Sequence, residues 1–464
     1  MYDSVKSCVK YNGNTSQYFT AGRGLRQGEN LSPILFSLYL NDIEAFFVGN
    51  GNPTLSFIEK LNSDCDHDLD TLLNLFIILY ADDTVILAED ENSLQSQLDT
   101  LYAYCLENDL TVNIDKTKVL IFARSKCRIK IDTKFMFGTD EIEIVEDYLY
   151  LGVKFNWNGS FAKAKKYLYD KAMRAMFSVI QKGRRLKLPI DVLLKLFDMC
   201  VAPVALYGCE IWGFESLDLL ESLHCTFCKI IMKVSKYSHN LQVLAELGRY
   251  PMSIEVKRRM VNFWLKTVTG KDSKLNAILY RISLNLYVRE KHKSPWLLYI
   301  KKIFDDIGLS YIWLQQYTEN YKTLSKYVKQ VLRDQHVQEM LQKVNDDQQY
   351  VNFKLYKNDV RLEKYITQLD GSLVHSLFEF RIGSYLLPVN NRSNAHIDRS
   401  ERLCPACNTV GDELHFIYDC TLLSDLRDNS IHLSMSRNLE ILRNPTPQLA
   451  KFIRLGLSLY KSLQ

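Results

Sequence analysis

The sequence predicts an α+β fold, with its strands in roughly the first third and helices through most of the rest. Three observations carry this. Apolar runs of strand length, in "LNLFIILYADDTVILAE", "KTKVLIFAR" and "DYLYLGVKF", all precede residue 160. Beyond it, apolar residues recur at helical spacing, with short breaks at "KGRRLKLP", "GRYP" and "RNPTP". A compact Cys/His segment interrupts the helical part at 404–420.

In chain order, "SPILFSLYLNDIEAFF" reads as a helix: Ser32 can cap it and Pro33 suits the first helical position. Leu35, Leu38, Tyr39, Ile43, Phe46 and Phe47 then fall on one face. "LNLFIILYADDTVILAE" reads as two strands meeting at a turn. "SLQSQLDTLYAYCLEND" is helical again, aligning Leu94, Leu98, Leu101 and Cys105. The 464 residues suffice for two to four domains, and 47% hydrophobic content can fill a large core. A net charge of +4 is too small to argue for nucleic acid by itself. The start, "MYDSVKSCVKYNG", lacks the basic and apolar regions of a signal peptide. No apolar run approaches the ~18 residues of a membrane span. Eleven cysteines, mostly at irregular spacing, read as reduced intracellular thiols.

Asp82 and Asp83 lie between two of the most apolar stretches of the chain. Asp is a common turn former, so the pair can be mere punctuation. The flanking apolar runs instead anchor this turn in the core. Two like charges ~4 Å apart repel by about 1 kcal/mol in water and about 4 kcal/mol at an effective dielectric near 20. A divalent cation reverses that sign, and hard carboxylate oxygens suit Mg²⁺ (or Mn²⁺). Ahead of the first helix, "GRGLRQGENLSP" combines glycines with Arg23 and Arg26, whose charge suits phosphate. Alone, that loop reads equally as a turn before a helix.

In order, "GLRQGENLSPILFSLYLNDI", "YADD", "LTVNIDKTKVLIF" and "YLYLGVKF" resemble the palm of reverse transcriptases, specifically the non-LTR, LINE-like retrotransposon kind. The resemblance covers roughly residues 1–160, and "KLFDMCVAPVALYGCEIWG…LESLHCTFCKIIMKV…LAELGRYPMSIEVKRR" looks like the tract that follows such a palm. It implies that Asp82 and Asp83 are metal-binding carboxylates, with Tyr80 beside the primer end. Gly24, Gln27 and Gly28, with Arg26 among them, match the loop against template and nucleotide. Asn113, Lys116 and Lys118 match the motif whose lysine assists pyrophosphate departure, by protonation or by charge. Leu151 and Gly152 match the turn that holds the primer strand. A further catalytic aspartate of the family, in F-x-D-x-x-x-A-F-D, has no match before Gly24, and neither do the fingers. The expectation is therefore a truncated palm.

Between 160 and 190 stand Lys163, Lys165, Lys166, Lys171, Arg174, Lys182, Arg184, Arg185 and Lys187, against the single acid Asp170. A charge run is usually a solvated helix face, but this imbalance beside a palm points to a phosphate-tracking surface. "CPACNTVGDELHFIYDC" places Cys404, Cys407, His415 and Cys420 at C-x2-C-x7-H-x4-C. Three thiolates and one imidazole fit a closed tetrahedral Zn²⁺ site, as a structural staple first and a nucleic-acid contact second. It resembles the Cys-His segment near the C-terminus of many LINE-like polymerases. Asp64, Asp66, Asp68 and Asp70 alternate as in a calcium loop, but Leu69 stands where Gly is required, so they read as a solvated insertion. His224, Cys225 and Cys228 lie in a helical pattern and read as core.

The expected organisation is a partial right-hand polymerase palm at 1–158, a basic helical thumb at 159–235 and a helical C-terminal region at 236–395. The zinc segment at 396–425 and C-terminal helices at 426–464 complete it. The expected activity is RNA-directed DNA polymerisation, with an RNA template, a DNA primer and deoxynucleoside triphosphates as partners, inside the cell in nucleus or cytoplasm and without a membrane. A non-catalytic nucleic-acid-binding remnant is the alternative, and an RNA-templated RNA polymerase is a third class, disfavoured by the downstream helical tract.

Overall fold

The computed structural model describes residues 5–21, 31–51, 77–80, 83–123, 133–271, 274–289, 294–318, 320–347, 350–383, 386–391, 394, 396–430 and 439–462. The chain divides into two compact units: residues 1–148 with 156–159, and residues 149–155 with 160–464.

The first unit mixes short strands with helices. Val5–Ser7 pairs antiparallel with Phe19–Ala21. The expected first helix is two helices, Ser32–Tyr39 and Ile43–Gly49. Leu31, not Ser32, occupies the cap, and no side chain caps it. The break at 40–42 turns Leu38 and Tyr39 outward, while Leu40, Ile43 and Phe47 bury against Tyr104. The Asp42 carboxylate in that break accepts the Tyr104 hydroxyl at 2.6 Å. The helix Glu91–Glu107 begins where expected, because the Asp90 carboxylate accepts the Ser93 amide at 2.8 Å. Its apolar face meets Val119, Phe135, Phe137 and Ile142 in one core. That core joins the hairpin Phe135–Phe137/Asp140–Ile142 to the parallel pair Val119–Leu120/Ile144–Val145.

The second unit is helical around one large core. Its first helix, Ala162–Arg185, buries Ala164, Leu168, Ala172, Met176, Val179, Ile180 and Gly183 on one side. Trp212, Phe227, Trp264, Phe304 and Phe378 are among its fully buried side chains. The core also encloses a charge: Arg381 is fully buried, 2.8 Å from Glu246 in two hydrogen bonds, and its guanidinium lies over the rings of Tyr356 and Tyr365. Pairing and aromatic faces together compensate the lost hydration of both ions. Among the described residues no helix is long and apolar enough to cross a membrane.

Candidate functional site

Asp83 begins the second strand of the hairpin Ile77–Tyr80/Asp83–Ile86, opposite Tyr80 in register, and is exposed. Tyr80 and Asp83 are the last pair of that ladder, so the carboxylate sits where the backbone pairing stops. Three residues on, Ile86 packs against the core that contains Val119. Asp82 lies outside the described residues, as do Gly24, Arg26, Gln27, Gly28 and the alternating aspartates Asp64 to Asp70.

Asn113 organises the next segment. Its side-chain oxygen accepts the Lys116 amide at 3.1 Å, and its carbonyl accepts the Thr117 amide at 3.0 Å and hydroxyl at 2.9 Å. This is the local turn an Asn side chain favours. The Tyr148 hydroxyl donates to the Lys116 carbonyl at 3.0 Å. The two lysines are placed differently. Lys118 is paired with Glu143 at 2.9 Å, whereas Lys116 is exposed. Val119, next to Lys118, is fixed in the same core as Ile86.

Leu151 and Gly152 form the tip of the hairpin Asp147–Tyr150/Val153–Asn156. Their φ angles are +46° and +80°. Two consecutive left-handed residues make the tight turn that matches strand twist, and it favours Gly at the second position. A leucine at the first position is unusual.

The basic helix, about 36 Å long at 1.5 Å per residue, exposes Lys163, Arg174 and Arg185 on the side opposite its buried face and Lys171 and Lys182 on its flank. Lys166, Arg184 and Lys187 are exposed as well. Tyr167 and Tyr169 receive Lys171 and Lys166 over their rings at 5.2 and 5.0 Å. Lys166 also pairs with Asp170 at 2.9 Å. Lys165 stands apart: two residues from Lys163 is about 200° round a helix, onto the core side. There it pairs with Glu215 at 2.6 Å and donates to the Ser216 carbonyl at 3.1 Å. It fastens the start of the helix and faces away from the exposed stripe.

Cys404, Cys407, His415 and Cys420 bring one ligand atom each within 4.8 Å of one another. The Sγ of Cys420 is 4.0 Å from that of Cys404 and 3.8 Å from that of Cys407. A tetrahedron with 2.3 Å metal–sulfur bonds requires about 3.8 Å between sulfurs. His415 presents Nδ1 to the Thr409 hydroxyl at 3.1 Å, while its buried Nε2 has no partner. That is the arrangement of a ligating imidazole whose other nitrogen is held by the surrounding protein. Burial also holds His415 below the usual imidazole range, in the neutral form a metal needs. The geometry is built locally. Asn408 at φ +55° reverses the chain after Cys407, and Cys404 donates its amide to the Thr409 carbonyl at 2.7 Å. A π-helical turn, His415–Asp419, carries the chain on to Cys420. The segment is not a free knuckle. Phe416 packs on Phe380, Phe452 and Tyr460, and the Tyr460 hydroxyl lies 3.3 and 3.2 Å from the sulfurs of Cys404 and Cys420. The terminal helix Pro447–Ser462 comes this close because Gly456 has no side chain; a Cβ there would sit 2.6 Å from Phe416. Thr409 and Tyr460 carried no sequence signal: a lone threonine between Cys407 and His415 reads as loop, and Tyr460 lies forty residues beyond Cys420.

Residues 2–155 match the family described as reverse transcriptase (RNA-dependent DNA polymerase). A transposon-derived protein of Caenorhabditis elegans is 29% identical over 31% of this chain and 50% of its own length. The Pol polyprotein of the type-2 retrotransposable element R2DM of Drosophila melanogaster is 26% identical over 34% of this chain and 14% of its own length. That of the type-1 retrotransposable element R2 of Nasonia vitripennis is 27% identical over 34% and 15%. The chain thus aligns with half of the first relative and a small part of the other two. Ordered motifs, family match and relatives agree: residues 2–155 match the reverse transcriptase family, and the chain there is similar to the Pol polyproteins of retrotransposable elements.

Proposed function

We propose that the chain is an RNA-directed DNA polymerase that adds deoxynucleotides to a primer 3′-hydroxyl on an RNA template. The observation that carries this reading is Asp83, exposed at the end of a hairpin whose base packs into the same core as the strand after Lys118. Asp82 and Asp83 would hold Mg²⁺, since adjacent hard carboxylates are the donor set such an ion takes. Loaded, that site supplies charge stabilisation on the attacking and leaving oxygens. In the reaction the primer 3′-oxygen bonds to the α-phosphorus, the bond to the bridging oxygen of the β-phosphate breaks, and pyrophosphate leaves. Lys116 is the better placed of the two lysines to protonate or neutralise that leaving group, because Lys118 is engaged by Glu143. The basic helix would follow the duplex backbone, and Cys404, Cys407, His415 and Cys420 would hold a structural Zn²⁺.

Primer extension with Mg²⁺ or Mn²⁺ tests the reading. Extension that Asp83→Asn reduces by about a hundredfold or more supports it, as loss of a charge-stabilising group should. Incorporation of ribonucleotides instead of deoxynucleotides would assign the third class. The remnant reading has its own support: the basic helix and the Cys/His cluster both belong to the second unit, around one core that does not include Asp83. Salt-sensitive duplex binding with no extension would favour it.

A further inference from the structure

The Leu151–Gly152 turn is braced by a residue far along the chain. Tyr207 lies in the turn between the helices Ala202–Ala205 and Cys209–Trp212. Its hydroxyl donates to the Leu151 carbonyl at 2.8 Å, and its ring covers Gly152, where a Cβ would come within 3.0 Å of it. Its own carbonyl accepts the Trp212 indole N–H at 2.9 Å. Trp212 is fully buried, so Tyr207 is tied to the helical core at one end and to the turn at the other. The neighbouring Gly208 closes on Val153, with a Cβ position 3.3 Å from its Cγ2.

This brace does something that packing alone would not need. Tyr207 remains 49% exposed, so burial of its ring is not its main contribution. What the hydroxyl adds is a fixed peptide plane between two left-handed residues, one of them a leucine that resists that conformation. Such a turn persists only where its surroundings over-determine it. We propose that Tyr207 is a positioning residue for the primer 3′ end, acting through the Leu151–Gly152 turn. The inference rests on the polymerase reading, which lays the primer strand on that turn. Displacing the turn misplaces the terminal nucleotide, and small misplacements of reacting groups cost rate steeply. Overall affinity, set by interactions with the phosphates, is untouched.

The test uses the full 464-residue chain and Tyr207→Phe, which keeps the ring. A primer ending in 4-thiothymidine is annealed to an RNA template, irradiated with the protein, and the crosslinked peptide mapped. The parent chain should crosslink the primer terminus within residues 147–156. Tyr207→Phe should lower that crosslink by up to about tenfold, the worth of one hydrogen bond. Duplex affinity by anisotropy and the melting temperature should stay unchanged. An undiminished crosslink in the variant overturns the positioning role while leaving the polymerase reading intact. A parent crosslink that maps elsewhere overturns the reading itself, and the inference with it. A variant that loses affinity and melting temperature together would make Tyr207 a structural residue only.

Discussion

At the scale of single residues, His224 is the most exacting. It is 1% exposed, stacks on Phe197 with ring centroids 5.2 Å apart, and takes the Arg249 Nε–H at 3.0 Å. Burial first, and the nearby Arg249 charge second, push its imidazole down to about 3 from an ordinary 6.5. Between those values the unfolded chain binds a proton that the folded chain refuses, so stability falls as pH falls. The loss approaches about 1.4 kcal/mol per pH unit, or about 2 kcal/mol from pH 6.5 to 5. Urea unfolding of the second unit over that range should show the slope, and His224→Phe should remove it; an unchanged slope would assign the acid sensitivity elsewhere. The sequence reading of His224, Cys225 and Cys228 as core was right because all three repeat on a helical apolar face, and all three are buried. Lys165 was misjudged for the opposite reason. Counting nine cations against one acid ignores which side of the helix each occupies, and its partner Glu215 is fifty residues away in sequence. Tyr207 could not be seen at all, since nothing local marks a tyrosine whose hydroxyl is spent on a distant turn.

At the scale of elements, legibility tracks how local the determinants are. The clustering of the Cys/His segment was readable because three cysteines and a histidine fall within seventeen residues, whereas Tyr460, which meets two of its sulfurs, comes from another helix. The first helix was misread as continuous, because apolar spacing persists across residues 40–42 while the chain turns there to give Asp42 to Tyr104. Two outcomes belong here. Purified protein should contain about one Zn²⁺ per chain, and chelation or Cys420→Ser should lower the melting temperature clearly, since structural zinc contributes directly to folding free energy. A chelated protein that melts unchanged would rule out the staple. For the basic helix, replacing Lys171, Arg174, Lys182 and Arg185 by Ala should flatten the dependence of duplex affinity on salt by roughly 0.9 in log–log slope for each phosphate no longer neutralised. Lys165→Ala should leave that slope alone, and an equal effect from both would refute the division of faces.

At the scale of the whole molecule, the two units have very different cores. Among the described residues the first holds two small buried clusters, one around Leu98, Phe135 and Phe137 and one around Leu40, Ile43 and Phe47, while the second packs a large continuous one. Buried apolar area is the main favourable term in folding. Calorimetry should therefore resolve two transitions, the lower from the first unit. Phe137→Ala should move only the lower one and Phe227→Ala only the upper, each by the equivalent of about 3–5 kcal/mol. A single transition shifted by both would show one cooperative fold.

Gly456 ties the Cys/His cluster to a part of the chain beyond its own loop. Its bare backbone lets Phe416 lie against the terminal helix, and Phe416 directly follows His415. One methyl group placed there would meet the tip of that aromatic ring at 2.6 Å, so the ring next to His415 would have to shift. The spacing of the four Cys and His side chains is thus set in part from forty residues downstream, at a position that supplies none of them.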